Sequence, residues 1–315
     1  MKDPKPTVLV TGASGFVGRH VAPALTRGGW AVRRAVRNSS GRDDEVIIGS
    51  IGHQTDWGAA LAGMDAVVHL AARVHHQHDE HAVKLYRDVN IEGTLHLARC
   101  AAIAGVRQFI FISTVLVHGR SNDGRAPFKE EDVLTPRGMY GMSKAAAEAG
   151  LRALAEQSDM QITVVRPPLV YGFGARGNFA LLTRAVKHGM PLPFAAVRNH
   201  RAFLSVQNLS SFIQWRLSHP DPARKFEIFL VADEEQVSTP DFIQRLARAA
   251  GRRAQLFPMP RPMLVGLLAA LGRSEANHSL LGSLELDISK ARSIGWRPEV
   301  TLDEGLRMAL SDPGA

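Results

Sequence analysis

The sequence predicts an α/β fold built on a doubly wound parallel sheet. Through the first half of the chain, short apolar segments rich in β-branched residues alternate with segments of helical pattern. Parallel strands that are buried on both faces have this continuous apolar composition, and right-handed helical crossovers connect them. The expected strands cover residues 7–10, 31–36, 46–48, 66–70, 109–113 and 162–166.

Three glycines spaced three apart follow the first of these strands. Gly12, Gly15 and Gly18 stand where the chain turns from the strand into the first helix. Glycines in such a turn allow bare backbone to approach the pyrophosphate of a dinucleotide at the helix N-terminus. The turn residues expected to contact a dinucleotide are Gly12, Ser14, Gly15, Phe16, Val17 and Gly18.

Tyr140 and Lys144 form the second informative pattern. Residues four apart share one face of a helix, so a phenol and an ammonium would point into the same pocket. Pro136 and Gly138 interrupt the chain just before this helix, and strong helix formers after Lys144 continue it. We therefore expect the pair to face one site.

Taken together, the glycine turn and the Tyr/Lys pair resemble the short-chain dehydrogenase/reductase superfamily. The spacing TGxxGxxG is similar to that of its extended branch, the NAD-dependent epimerases and dehydratases, which act mostly on nucleotide sugars. The resemblance covers almost the whole chain, including Arg-Pro-Pro-Leu-Val-Tyr-Gly at 166–172. It implies a Rossmann-type NAD(P)-binding domain over residues 1–170. A smaller lobe over 171–315 would mainly bind the nucleotide sugar, with segments that return to the main sheet.

The resemblance also implies a catalytic triad of a hydroxyl residue, a tyrosine and a lysine. Counting back from Gly119, Thr114 takes the place of the family's catalytic hydroxyl, and Ser113 is the alternative register. An unperturbed phenol has a pKa of about 10, so Tyr140 needs the positive charges of Lys144 and the oxidised nicotinamide to form a phenolate. In the family, the tyrosine exchanges a proton with the C4 oxygen of the sugar, and the hydroxyl residue binds the same oxygen. The lysine also holds the nicotinamide ribose.

The end of the second strand indicates which dinucleotide binds. An acidic side chain there would accept hydrogen bonds from the NAD ribose, but Val36 stands near the family's aspartate position and Arg37 follows it. Arg37, with Arg33 or Arg34 as further candidates, would attract a 2′-phosphate, which favours NADP over NAD. A solvated strand edge is the alternative interpretation of these arginines. Further cofactor contacts implied by the resemblance are Ser50, Ile51, Leu70, Ala71, Ala72, Tyr140, Lys144 and Pro167.

Four residues in the second half of the chain match, in order, family positions that hold a nucleotide diphosphate. An amide and a guanidinium suit phosphate oxygens, and a short apolar run can flank a pyrimidine base through its backbone. An ordinary surface arginine is the alternative for the last of the four. They are Asn178, Leu192, Phe194 and Arg201, and Thr114 joins them at the sugar.

The expected reaction is reduction at C4 of a UDP-4-keto-6-deoxy-N-acetylhexosamine, for lipopolysaccharide or another surface polysaccharide. Dehydration is disfavoured, because Val115 and Leu116 stand where the family's dehydratases carry an acidic pair. A 4-epimerase of a UDP-hexose or UDP-N-acetylhexosamine is the first alternative. A non-catalytic module that senses NADP is the second.

Composition argues against several other classes. The net charge of +8 comes with dispersed arginines and only 6% aromatic residues, so nucleic-acid binding is not expected. The single cysteine, Cys100, cannot form an internal disulfide. Neither a membrane-span pattern nor a signal-peptide pattern occurs, so we expect a cytoplasmic protein. The sequence leaves a homodimer open.

Two segments have competing interpretations. The tract from His75 to His81 is rich in imidazoles and carboxylates, but its spacing fits no standard ligand pattern, so we expect a polar loop and not a metal site. Residues 262–271 are apolar and lie between Arg261 and Arg273. We expect a helix buried in the smaller lobe, with a membrane-surface helix as the alternative.

Overall fold

A seven-stranded parallel sheet forms the centre of the larger of the two units into which the chain folds. The computed structural model describes residues 5–74, 80–270 and 276–311. The larger unit comprises the chain up to Gly119 with residues 133–167 and 210–230, and the smaller unit comprises residues 120–132, 168–209 and the chain from Val231. The strands of the described residues are β1 Thr7–Thr11, β2 Ala31–Val36, β3 Glu45–Ile47, β4 Ala66–His69, β5 Gln108–Ile112, β6 Gln161–Arg166, β7 Leu169–Tyr171, β8 Phe203–Ser205 and β9 Phe226–Leu230.

The strand order of the large sheet is β3-β2-β1-β4-β5-β6-β9, and all neighbouring pairs are parallel. The order reverses between β1 and β4, which is the switch point of a doubly wound fold, where ligands bind beyond the carboxyl ends of the strands. The predicted fold class is therefore confirmed. In the smaller unit, β7 and β8 form a separate parallel pair.

Helices connect most of the strands, and only β2 to β3 and β6 to β7 are joined without one within the described residues. A π-helix, Arg87–Gly93, continues α3, and a 3-10 helix, Val115–Val117, follows β5. The α-helices of the described residues are α1 Phe16–Arg27, α2 Gly58–Leu61, α3 Glu80–Tyr86, α4 Thr94–Ile103, α5 Gly138–Glu156, α6 Asn178–Lys187, α7 Val206–Ser218, α8 Thr239–Ala249, α9 Arg261–Ala270, α10 Ala276–Leu281, α11 Ser289–Ser293 and α12 Leu302–Leu310.

Six strands of the large sheet lie where the sequence predicts them, with ends that differ by at most one residue. The sequence analysis missed β9, because Glu227 interrupts its apolar run. In the structure the Glu227 carboxylate is buried and accepts a hydrogen bond from the guanidinium of Arg216. An ion pair thus permits a charge inside a strand that would otherwise read as a buried apolar segment.

The core of the larger unit consists of apolar side chains from the sheet and from the helices beside it. Leu9, Val67 and Phe109 on the strands, with Leu97 on α4 and Leu151 on α5, are fully buried. Their packing fixes α4 and α5 against the sheet. This packing therefore fixes the position of three segments, namely the ends of β1 and β5 and the start of α5.

The smaller unit has a core of its own, centred on aromatic side chains. Phe203 and Phe242 stack with ring centroids 4.0 Å apart, and Tyr171 meets Phe242 edge-on at 5.9 Å. The Tyr171 hydroxyl donates to the buried carboxylate of Asp233 at 2.8 Å. The assignment of a dinucleotide to the chain before residue 171 and of a sugar nucleotide to the chain after it stays a prediction.

The helix expected at 262–271 forms as α9, but the expectation that it is buried is wrong. Only Leu264 and Leu268 of α9 are buried, while Met263 is 62% exposed. After Arg261 the helix carries no polar side chain. Its outward face is therefore apolar. No helix within residues 5–74, 80–270 and 276–311 is long and apolar enough to cross a membrane.

Candidate active site

The glycine turn brings β1 and α1 close to the end of β4. Gly12 has a φ of 67°, in the left-handed region that favours glycine. A Cβ on Gly12 would lie 2.7 Å from the amide nitrogen of Ala71, and a Cβ on Gly18 would lie 2.3 Å from the carbonyl oxygen of Gly12. The first turn of α1 has no acidic side chain, and Ser14 and Gly15 are exposed. This turn fits an anion bound by backbone amides, as a dinucleotide pyrophosphate would be.

A polar cavity of about 520 Å³ opens beside this turn. Of the three candidate arginines, only Arg37 lines it. The Arg33 guanidinium donates to backbone carbonyls at the end of α2, over 2.8–3.2 Å, and Arg34 pairs with Asp44 at 2.8 Å. Arg37 lines the cavity, and no carboxylate stands among the lining residues. These are Ser14, Val36, Arg37, Asn38, Gly49 and Ser50.

The remaining cofactor candidates lie at or just beyond the strand ends. The Leu70 amide donates to the carbonyl of Thr11 at 3.3 Å, and the Pro167 carbonyl accepts from the amide of Val115 at 2.9 Å. Pro167 is buried, whereas Phe16, Val17, Ile51, Leu70, Ala71 and Ala72 are half-buried. Their contacts with a cofactor stay predictions.

His69, the last residue of β4, joins two elements below the site. Its Nδ1 lies 2.7 Å from the hydroxyl of Thr11, and its Nε2 lies 3.0 Å from the hydroxyl of Thr94. Burial and the positive charge of Lys144 lower the pKa of His69 to about 3. The imidazole is therefore neutral at physiological pH, with one nitrogen donating and the other accepting.

Lys144 is buried at the carboxyl end of β5. Its ammonium donates to the carbonyl of Ile112 at 2.7 Å and lies 4.3 Å from the centre of the Phe111 ring. Burial lowers the pKa of Lys144 to about 7, although the negative charge of Glu148 acts in the opposite direction. The ammonium is 6.0 Å from the centre of the Tyr140 ring. The fold thus brings Tyr140 and Lys144 together at this edge of the sheet.

The chain alone does not activate the phenol of Tyr140. Burial raises the pKa of Tyr140 above its ordinary value, and the nearby phenol of Tyr86 acts in the same direction. Tyr140 is therefore protonated, which is the form that can donate a proton to a substrate oxygen. Positive charge near the ring would favour the phenolate.

The two hydroxyl residues after β5 have different partners. The Ser113 hydroxyl donates to the carboxylate of Glu148, and both side chains are buried. Thr114 has an extended backbone, and its hydroxyl oxygen accepts a hydrogen bond from the amide of Leu116 at 3.3 Å. That bond uses the Thr114 hydroxyl only as an acceptor. Ser113 therefore belongs to the interior of the protein, and Thr114 retains the ability to donate to a ligand.

A buried ion pair supports this end of β5. Arg166 Nη2 lies 2.6 Å from Glu148 Oε2, and Arg166 Nε lies 3.2 Å from both carboxylate oxygens. Arg166 Nη1 donates to His118 Nε2 at 2.8 Å. Since a guanidinium can only donate, this His118 nitrogen must carry a lone pair, and the imidazole is neutral with its proton on Nδ1.

Asn90 connects α5 to the segment after β4. Its amide nitrogen donates to the Ser143 hydroxyl at 3.0 Å and to the carbonyl of Arg73 at 3.1 Å. Its amide oxygen accepts from the amide of Arg73 at 2.8 Å, and Ser143 in turn donates to the carbonyl of Tyr140 at 2.8 Å. These bonds fix the first turn of α5, on which Tyr140 stands.

The sequence analysis did not single out three of these polar residues, namely His69, Asn90 and Glu148. Glu148 had a detectable signal, because it lies one helical turn beyond Lys144 on the same face of α5. Asn90, between Asp88 and Glu92 in the sequence, carried none, and His69 entered only as the first residue of the segment 69–72 that resembles the family's fourth-strand motif, with no role for its imidazole. Within the described ranges no group of three or more His, Cys, Asp and Glu side chains is placed to hold a metal ion. Residues 75–79 of the histidine-rich tract lie outside those ranges.

In the smaller unit, the backbone of Leu192 is already paired. Its amide donates to the carbonyl of Gln255 at 2.8 Å, and its carbonyl accepts from the amide of Phe257 at 3.1 Å. The Phe194 side chain is buried in the aromatic core. The Leu192 amide therefore cannot bind a base while this pairing persists, and the Phe194 side chain serves packing.

Asn178 and Arg201 also have partners within the smaller unit. Asn178 begins α6, and its amide nitrogen donates to the hydroxyl of Ser279 at 2.9 Å. Arg201 is 7% exposed and donates to the carbonyl of Gly282 at 2.6 Å. Burial lowers the pKa of Arg201 to about 10, opposed by the charge of Asp123. The interpretation of Arg201 as an ordinary surface arginine is wrong.

Comparison with protein families gives one match across most of the chain. The NAD dependent epimerase/dehydratase family matches residues 8–232. These residues include the large sheet, apart from Thr7 at the start of β1, and the segment that carries Tyr140 and Lys144.

Individual proteins are similar over nearly the full length. A UDP-glucose 4-epimerase of Vibrio cholerae is 39% identical, with 97% of this chain and 94% of that protein covered. A GDP-6-deoxy-D-mannose reductase of Pseudomonas aeruginosa is 27% identical, over 97% of this chain and 96% of that protein. The crystal structure of a UDP-N-acetylglucosamine 4-epimerase from Bacillus cereus has the same fold, with a TM-score of 0.76, 19% identity and coverage of 96% and 97%.

Proposed function

Because this chain belongs to the NAD-dependent epimerase/dehydratase family, we propose that it transfers a hydride between a nicotinamide dinucleotide and C4 of a UDP-sugar. One observation carries the proposal. The Lys144 ammonium is fixed on the Ile112 carbonyl at the carboxyl end of β5, 6.0 Å from the centre of the Tyr140 ring. An ammonium and a phenol at that edge of the sheet suit proton transfer beside a dinucleotide that the glycine turn binds.

The residues around the glycine turn fit a dinucleotide, and we assign NADP to them. Gly12 and Gly18 leave no room for a Cβ, which packs the turn tightly, and the exposed Ser14 and Gly15 leave its backbone open to a pyrophosphate. Arg37 lines the adjacent cavity without a competing carboxylate, which suits the 2′-phosphate of NADP. When bound, the reduced dinucleotide supplies the hydride.

In the proposed reaction Tyr140 is the proton donor. Its phenol gives a proton to the C4 oxygen of a 4-keto sugar while C4 receives the hydride, so a carbonyl becomes an alcohol. The resulting phenolate lies near the Lys144 ammonium and regains its proton from solvent. The Thr114 hydroxyl donates to the same oxygen. Tyr140 carries its proton before the reaction, which is the form that reduction requires.

We propose a UDP-4-keto-6-deoxy-N-acetylhexosamine as the substrate, used for surface polysaccharide. Dehydration is disfavoured because the buried Val115 and the half-buried Leu116 follow Thr114, so no acid and base stand there for elimination. The similarity to a reductase of a 6-deoxy nucleotide sugar supports reduction. The proposed substrate contacts are Thr114, Asn178 and Arg201, with Leu192 and Phe194 flanking the base through atoms other than the paired Leu192 amide and the buried Phe194 ring.

A 4-epimerase is the second candidate, favoured by the 39% identity to a UDP-glucose 4-epimerase. An epimerase oxidises and reduces C4 in one cycle and keeps its dinucleotide, whereas a reductase exchanges the dinucleotide in each turnover. The two functions therefore differ in cofactor consumption.

A mass-spectrometric assay separates them. Purified protein is incubated with UDP-4-keto-6-deoxy-N-acetylhexosamine, UDP-glucose or UDP-N-acetylglucosamine, each with NADPH or NADH. The proposal expects consumption of NADPH with the keto sugar in equal amounts. Interconversion of the C4 epimers without added dinucleotide would establish the epimerase in its place.

The substitution Tyr140→Phe tests the role of the phenol. We expect a loss of turnover of at least about a hundredfold with unchanged NADPH binding, because only the proton donor is removed. The same substitution at Tyr171, whose hydroxyl bonds Asp233 within the smaller unit, is the matched control and is expected to retain turnover. Undiminished turnover of Tyr140→Phe would refute the catalytic assignment, and failure of the wild-type protein to bind either dinucleotide would refute the enzymatic one.

A further inference from the structure

Helix α9 exposes an apolar face that the fold of its own unit does not cover. Leu264 and Leu268 form the buried stripe, and they are the only buried residues of this helix. A surface helix of a globular protein normally places polar side chains opposite such a stripe. After Arg261, α9 has none. A helix face that only contacts water would be expected to carry polar side chains, and the exposed face of α9 does not.

Exposed apolar side chains are concentrated in and just before α9. Of the 13 exposed large apolar residues in the described part of the chain, four stand between residues 257 and 267. Single exposed apolar residues are normal, whereas a contiguous group marks an interaction surface. The four are Phe257 at 40% exposure, Met263 at 62%, Val265 at 36% and Leu267 at 38%.

The charge of the surrounding segment is of one sign. Residues 242–274 include six arginines and not one lysine, aspartate or glutamate. Arg245 is paired with Glu235 and Asp241, and Arg261 is paired with Asp123 at 4.0 Å. Arg252 and Arg253 are exposed. The segment therefore combines exposed apolar side chains with exposed positive charge.

We propose that residues 252–270, here called the arginine-rich apolar segment, dock on an anionic phospholipid bilayer. Met263 and Leu267, four apart on α9, enter the boundary between headgroups and acyl chains, and Arg252 and Arg253 bind phosphate groups of the lipids. Such binding places the protein on the membrane without spanning it.

The charge of the segment also argues against a second copy of the chain as its occupant. A symmetric dimer through this surface would place the arginines of one copy against those of the other. Like charges facing each other across an interface disfavour association, whereas lipid phosphates neutralise them. The bilayer is the partner with the complementary charge.

Sedimentation with lipid vesicles tests the proposal. The protein is mixed with vesicles of phosphatidylcholine alone or of an equal mixture of phosphatidylcholine and phosphatidylglycerol. We expect binding to the mixed vesicles at low salt, little binding to phosphatidylcholine, and weaker binding as salt is added. Absence of binding to the mixed vesicles at low salt overturns the proposal.

Paired variants locate the surface. Met263→Ser with Leu267→Ser should weaken partitioning about tenfold or more, because two large apolar side chains no longer enter the lipid. Ile103→Ser with Val133→Ser removes two apolar residues that are exposed elsewhere, and should bind as the wild type does. Likewise, Arg252→Gln with Arg253→Gln should reduce the salt-sensitive binding, and Arg27→Gln with Arg99→Gln should not.

Two further outcomes count against the proposal. Equal binding of the Met263/Leu267 variant and the wild type would place the lipid contact elsewhere. A dimer in sedimentation equilibrium that this variant dissociates, together with no vesicle binding, would assign the segment to a second copy. Thermal melting of each variant checks that the fold is intact, which is expected because the substituted side chains are exposed.

Discussion

The Arg166 guanidinium lies 2.6 Å from the Glu148 carboxylate, and both side chains are almost fully buried. Arg166 ends β6 and Glu148 lies on α5, so the pair joins the sheet to the helix that carries Tyr140 and Lys144. The same carboxylate accepts the hydroxyl of Ser113 at the end of β5. Two strand ends and one helix therefore meet at Glu148.

Substitution of Glu148 by Gln should destabilise the protein, because it leaves a buried guanidinium without its counter-charge. We expect the free energy of unfolding to fall by roughly 3 kcal/mol. Urea denaturation followed by circular dichroism measures this change. Glu156→Gln, at the exposed C-terminal end of the same helix, is the control and should change it by less than about 0.5 kcal/mol. Equal stability of the two variants would contradict the importance of the pair.

The two hydroxyl residues after β5 should respond differently to removal of their hydroxyls. Thr114→Val should lower kcat about a hundredfold, because a donor to the reacting oxygen is lost. Ser113→Ala should leave kcat near that of the wild type but lower the free energy of unfolding by about 1 kcal/mol, because a buried hydrogen bond to Glu148 is lost. Steady-state kinetics and urea denaturation measure both effects. The reverse pattern would make Ser113 the catalytic hydroxyl.

The sequence predicted the sheet well because its strands are buried on both faces. The run Phe-Ile-Phe-Ile at 109–112 is apolar on both faces of a strand and therefore predicts a buried strand. The observed β5 lies there, with each end one residue earlier than predicted. The run at 226–230 contains Glu227, whose partner Arg216 stands on a separate helix, so local pattern gave no reason to expect β9. The alternation of apolar and polar residues along a strand cannot reveal an ion pair with a residue on another element.

The same limit applies to the candidate site. Motif order placed Tyr140 and Lys144 on one helix face, but sequence alone could not distinguish Arg33, Arg34 and Arg37. Their roles depend on what each guanidinium meets, which is the end of α2, Asp44 and an open cavity respectively. The exposed face of α9 could not be predicted for a similar reason. An apolar helix is expected to be buried unless its packing is known.

Arg37 should determine the preference for NADPH. Arg37→Ala should raise the KM for NADPH by about thirtyfold and leave the KM for NADH nearly unchanged, because only NADPH carries the 2′-phosphate. Arg42→Ala is the control, since Arg42 is an exposed arginine that pairs with Asp44 and does not line the cavity. Initial-rate kinetics with both dinucleotides measure the change. An equal effect on both dinucleotides would mean that Arg37 contacts a group they share.

His69 should make the stability of the protein depend on pH. Its pKa is about 3 in the folded chain and about 6.5 in an unfolded one, so the unfolded state takes up the proton first as the pH falls. This contribution to stability is complete above pH 6.5 and is lost towards pH 3, at up to about 1.4 kcal/mol per pH unit.

The substitution His69→Gln retains an amide that can bond the hydroxyls of Thr11 and Thr94, but it does not titrate. Between about pH 6 and pH 4, its free energy of unfolding should therefore decline less steeply with falling pH than that of the wild type. The difference in slope is up to about 1.4 kcal/mol per pH unit, which corresponds to one proton. Urea denaturation at several pH values measures both slopes. His53→Gln, at an exposed position, should keep the wild-type slope. If His69→Gln kept it as well, the pKa of His69 would be the same in the folded and the unfolded protein, and burial would not hold the imidazole neutral.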